Sequence, residues 1–187
     1  YNTVASTISM LTILNLGFNS SYIRFFSKYK NARDNQSIFK LNGLFLMIFS
    51  VIGAVAMICG LFLSNNLILV FDSGLTSEEY ATAKVLMILL TINLTVSFPM
   101  TVFTNIISAN ERFVVLKLVG MLKSVLSPII HIPVLLLGYG SIGMVVVSVT
   151  VSMIADCIYV LFVLFKLKNR FIFGGFETGI FKDLFAF

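Results

Sequence analysis

Hydrophobic and polar positions divide this chain into long apolar runs and short polar joints. No Asp, Glu, Lys or Arg occurs in residues 1–23, 41–71, 85–110 or 124–155. Each run exceeds the ~20 residues that an α-helix needs to cross a hydrocarbon core. Backbone groups in lipid must be satisfied within the chain, so such runs are helices. Barrel strands would alternate in polarity over ~10 residues, and no such stretches are present.

The joints set the predicted boundaries. The first helix covers about residues 1–29, with Lys28, Lys30 and Arg33 after its apolar part. The second runs from about 37 to 63 and stops at Ser64-Asn65-Asn66. Asp72-Ser73-Gly74 reads as a turn. Thr76-Ser77-Glu78-Glu79 has the capping-box pattern, so a third helix starts there and runs to about 108, with a kink expected at Pro99. The fourth covers about 115–137 and contains Pro128 and Pro133. Gly138-Tyr139-Gly140-Ser141 is a tight turn. The fifth helix covers about 142–165. The expected fold is therefore all-α, a polytopic transmembrane bundle of about five spans over residues 1–165. Residues 166–187 form a basic and aromatic amphipathic linker, with Ile180, Phe181, Leu184 and Phe185 on one face.

Composition agrees with this class. Of the 187 residues, 58% are hydrophobic and 11% charged, against roughly 25% charged in soluble domains. That excludes an ordinary cytosolic enzyme, a nucleic-acid-binding domain and a disordered chain. Twelve of the 13 basic residues fall at one end of the predicted bundle, with only Lys84 near the other. By the positive-inside rule that end is cytoplasmic, so the first helix enters from outside. The chain begins with Tyr1 inside an apolar run and stops where another could start, which reads as a fragment of a longer protein. Cys59 and Cys157 both lie in apolar runs and read as small packed side chains.

Polar groups within the spans are the candidates for function, because burying them is costly. Asp156 lies ten residues before Lys166, or ~15 Å into the fifth helix. Ser148, Ser152, Asp156 and Tyr159 form a stripe on that helix. Lys123, Ser127 and His131 form a matching stripe on the fourth, with Lys123 ~12 Å deep. Lys123 and Asp156 form either a structural pair or part of a hydrated cavity that touches substrate or a coupling ion. Lys123 could also snorkel. His131 is the only histidine; it reads as a packed polar group or a proton carrier, not a metal site. Ser97, Thr101, Thr104, Asn105 and Ser108 share one side of the third helix. Thr12, Asn15 and Asn19 lie on the first, where the two asparagines suggest a hydrated path. There is no HExxH, GxSxG or phosphate-binding glycine loop, so an enzyme is not expected.

Several segments in order resemble one family. Asn15-Leu16-Gly17-Phe18, then Tyr22-Ile23-Arg24 and a short basic loop, resembles the second helix of polysaccharide and lipid-linked oligosaccharide flippases. Leu75-Thr76-Ser77-Glu78-Glu79 is similar to the outside entry to their fourth helix. Ile107-Ser108-Ala109-Asn110-Glu111-Arg112-Phe113 resembles the loop after it, and Phe171-Ile172-Phe173 the linker toward helix seven. The resemblance implies a multidrug/oligosaccharidyl-lipid/polysaccharide exporter fold, of which this chain would be a partial lobe of two: helices two to six and a linker. It implies a multi-pass protein of the bacterial cytoplasmic membrane that moves a polyprenyl-pyrophosphate-linked glycan (O-antigen, capsule or teichoic type) by alternating access. Arg24 or Lys123 would meet the pyrophosphate, with Asn15 and Asn19 nearby. Asp156 and His131 would serve ion coupling or structure. No cofactor is implied beyond coupling to H+ or Na+, and glycan polymerases are the partners to expect. A cation-coupled drug antiporter of the same fold is the main rival. A membrane-embedded glycan transferase or polymerase is the other.

Overall fold

A computed structural model describes Ser6, residues 18–67 and residues 77–174. All regular structure among these residues is helical. Five helices follow in order: α1 (Phe18–Asn31), α2 (Asn35–Asn65), α3 (Ser77–Ala109), α4 (Phe113–Leu136) and α5 (Gly140–Leu161). A π-helical turn, Phe162–Lys166, extends α5. The expected first half of the first helix, with Thr12 and Asn15, lies outside the described residues. So do the Thr76 cap and the amphipathic stretch 175–187.

Among the described residues four helices are long and apolar enough to cross a membrane: Asn35–Asn65, Glu79–Ala109, Phe113–Leu136 and Gly140–Lys166. The chain is a multi-pass helical membrane protein. One boundary differs from the sequence expectation. The α-helical part of α5 ends at Leu161, not near 165, because the Leu167 N–H donates to the Phe162 carbonyl five residues back, at 3.2 Å. That spacing widens the last turn into a π-helix.

α3 is central. It packs on α2 along one side and on α5 along another, and α4 lies mainly against α5. α1 rests on α2 and α3. The core lies where α1, α2 and α3 meet, around Tyr22, Phe45, Phe49, Phe98 and Ile106. Tyr22 meets Phe45 edge-on, with centroids 5.1 Å apart. This is a favoured ring geometry.

Small residues allow α2 and α3 to approach closely. Gly53, Ala56 and Gly60 are buried on one face of α2. A Cβ at Gly53 would lie 2.8 Å from the Thr95 carbonyl oxygen. That carbonyl would ordinarily accept from residue 99, which is proline and has no N–H. Pro99 therefore frees a carbonyl, and α2 seats it against a glycine. Lipid supplies no hydrophobic drive between helices, so such close backbone packing is a main source of association.

The segment after α5 is fixed to α2. The Ile172 N–H donates to the Phe39 carbonyl at 3.0 Å, and a Cβ at Gly43 would collide with the Ile172 carbonyl. Phe171 packs against Phe103 with the rings tilted and their centroids 5.5 Å apart. Residues 166–174, expected to begin a separate linker, thus belong to the packed bundle as far as they are described.

Candidate functional site

The sequence candidates fall on two seams. Asn19 and Arg24 lie on α1, against α2 and α3. Lys123, His131 and Asp156 lie on the α4–α5 pair.

At the first seam, the buried Asn105 Nδ2 of α3 donates to Asn19 Oδ1 of α1 at 2.9 Å. One turn further on, the Tyr22 hydroxyl donates to Asn42 Oδ1 at 2.7 Å. Asn42 Nδ2 in turn donates to the Arg170 carbonyl at 3.4 Å. Tyr22 and Asn42 are both fully buried. Asn42 was missed as a candidate. Its signal is a single asparagine beside a glycine inside the apolar run that opens α2. Arg24 is exposed near the basic end of α1.

Two hydroxyls on the polar face of α3 are satisfied within their own helix. Thr101 Oγ1 donates to the Ser97 carbonyl and Thr104 Oγ1 to the Thr101 carbonyl, each at 2.9 Å. This back-bonding spends the donors locally. Of the residues on that face, Asn105 is the one that reaches across to another helix.

At the second seam the two predicted stripes meet at His131 and Ser148. His131 Nε2 lies 3.1 Å from both the Met144 carbonyl and Ser148 Oγ. The Ser148 hydroxyl itself donates to Met144 at 3.0 Å. A carbonyl can only accept, so the tautomer protonated at Nε2 satisfies the cluster. Nearer the basic end, the Tyr159 hydroxyl donates to the Leu116 carbonyl at 3.4 Å. Lys123 precedes His131 by eight residues, and Asp156 follows Ser148 by eight. In this antiparallel register Lys123 is level with Asp156.

The two charges are level but not joined. No N···O contact within 4.0 Å links them. Asp156 is half-buried in the seam, whereas Lys123 is exposed. α4 starts at Phe113, so Lys123 lies ~15 Å along it, slightly deeper than the sequence suggested. α4 buries little of itself; Val119 is its one buried residue. A groove of about 750 Å³ follows its free side past Lys117, Gly120 and Ser124.

Among the described residues no three His, Cys, Asp or Glu side chains gather into a metal-binding group. The arrangement offers one unpaired cation at membrane depth, one half-buried acid beside it and a histidine that pins two helices. Comparison with family models, curated proteins and solved structures finds no match to this chain.

Proposed function

We propose that this chain is part of a membrane exporter that carries a polyprenyl-pyrophosphate-linked oligosaccharide between leaflets. The observation that carries the reading is Lys123. An exposed ammonium with no ion-pair partner among the described residues, ~15 Å along an apolar helix, is costly in lipid unless it meets water or an anion. A pyrophosphate is such an anion, and the same helix carries a groove past Lys117, Gly120 and Ser124. The ordered flippase-like segments of the sequence support the same reading.

A second reading has its own observation. Asp156 is a half-buried acid at the same depth, and a drug antiporter would use an acid to exchange a proton or Na+ for a cation. The two readings differ in the charge of the cargo.

The test is reconstitution of the full-length protein in vesicles, with a lipid-linked oligosaccharide in one arm and ethidium in the other. Glycan appearance on the far side is scored with an impermeant lectin. The expected result is glycan transfer that falls at least tenfold in Lys123→Gln and is largely kept in Lys123→Arg. Ethidium transport without glycan transfer, lost in Asp156→Asn, would establish the antiporter instead.

A further inference from the structure

The basic end of the bundle holds a second cleft that the transport reading does not use. It lies between the α3–α4 turn and the π-helical end of α5, with a volume of about 380 Å³. Its lining is Glu111, Arg112, Val114, Val115, Phe162, Lys166 and Leu167. At ~30 Å³ per water it has room for roughly a dozen waters, enough for a phosphodiester and the glycerol attached to it.

We propose that this cleft binds the headgroup of an anionic phospholipid, with an acyl chain lying along the free face of α4. Three observations carry it. First, Arg112 and Lys166 are exposed at the cleft from different elements, and neither forms an ion pair with a described residue. A guanidinium fork and an ammonium converging on one cleft suit a phosphate. Second, the backbone presents Arg112 in a fixed way. Glu111 has φ +60°, a left-handed conformation, and the turn is held by Glu111 N–H to Ser108 at 2.9 Å and Arg112 N–H to Ile107 at 3.1 Å. Third, the cleft opens onto an apolar track. Val114, Leu118 and Leu122 follow at i, i+4 and i+8 on α4, and are 70%, 61% and 54% exposed.

The track decides between a lipid and a free phosphate. A soluble anion would gain nothing from Val114, Val115 and Phe162, whereas an acyl chain continues past them along α4. Glu111 leaves the lining with a net charge of +1. That favours a monoanionic headgroup whose hydroxyls can donate to the Glu111 carboxylate, as in phosphatidylglycerol. Basic pockets between helices at a membrane surface bind acidic lipid headgroups on the same physical grounds.

The experiment is native mass spectrometry of the full-length protein, titrated with phosphatidylglycerol or phosphatidylcholine of matched chains. Neutralising both cations, Arg112→Gln with Lys166→Gln, should weaken phosphatidylglycerol binding about 30-fold and leave phosphatidylcholine unchanged. Arg112→Lys with Lys166→Arg should stay within a few-fold of wild type. Lys28→Gln, at an exposed position on α1 at the same end, should change nothing. If the neutral double variant does not fold, each single variant is read instead, with about fivefold weaker binding expected. Equal phosphatidylglycerol affinity in wild type and the neutral variants overturns the site. Inorganic phosphate binding as tightly as phosphatidylglycerol shows a free-anion site and overturns the lipid assignment.

Discussion

Lys123 and Asp156 show how depth and contact separate at the level of single residues. Helical spacing alone places them at similar depth, and the α4–α5 register makes them level. Whether they touch depends on side-chain direction, and Lys123 points to the exposed side of α4. This changes the expected cost of removing it. Breaking a buried ion pair costs ~3–5 kcal/mol, because a charge is left unpaired in a low dielectric. Lys123 forms no such pair, so Lys123→Met should fold at least as well as wild type. A lysine at the centre of a spanning helix is itself worth about +2.5 to +3.5 kcal/mol against insertion. Asp156→Asn should likewise reach the membrane at normal abundance. The measurement is membrane abundance and thermal midpoint for both single variants and the double. A large loss in Lys123→Met, restored in the double variant, would show a tight pair in the folded protein.

Helix contacts and helix caps are set at the scale of elements, and they separate glycines that look alike in sequence. Gly53 and Gly120 both lie inside apolar helices. At Gly53 a Cβ meets a backbone carbonyl at 2.8 Å, which cannot move without shifting α3. At Gly120 nothing lies within 4 Å. Gly53→Ala should therefore destabilise the α2–α3 pair by ~1–3 kcal/mol, as overpacking does. Gly120→Ala should be neutral or stabilising by up to ~1 kcal/mol through helix propensity. Unfolding of the two variants in mixed detergent micelles measures the contrast.

The start of α2 carries a pH dependence. The Asp34 carboxylate accepts from the Ser37 N–H at 3.1 Å and from the Ser37 hydroxyl. Those bonds hold its pKa below the ordinary carboxylate value, the hydroxyl bond contributing most. A lowered folded pKa stabilises the cap above the unfolded value of ~3.9. That stabilisation is lost as pH falls through the lower folded value. Hydrogen exchange at the Ser37 amide should thus be protected at neutral pH and lose protection on acidification below that range. Asp34→Asn should keep a cap without this dependence, and Asp34→Ala should lose protection at every pH.

For the whole molecule, alternating helix direction places Asn35 and Tyr139 at opposite ends of the bundle. Asn35 starts α2 at the basic end, and Tyr139 lies between α4 and α5 at the other. Single cysteines there, with Cys59 and Cys157 replaced by serine, should react with an impermeant reagent from opposite sides. The charge asymmetry predicts that Tyr139→Cys labels in intact cells and Asn35→Cys only after the membrane is opened. The reverse pattern would invert the orientation.

Helix class and number, their approximate limits and the charge asymmetry could be read from the sequence, for one reason. Lipid offers the backbone no partner, so an uncharged run of more than 20 residues has a single way to satisfy itself. The similar depth of Lys123 and Asp156 was also legible, because a short glycine turn between two helices forces an antiparallel register. Tertiary structure alone decided which polar groups meet. Asn42 pairs with Tyr22 across helices and with a carbonyl of the segment after α5. Those partners are 20 and 128 residues away along the chain, a separation no local period encodes. The hydroxyls of α3 share one side of the helix in sequence, and Thr101 and Thr104 bond back to their own helix. Bonds to an i−3 or i−4 carbonyl are local and compete with partners on other helices. The cleft at Arg112 and Lys166 belongs to the same class. It exists because two distant chain segments end at the same level, and only the packing of α5 beside the α3–α4 turn brings them together.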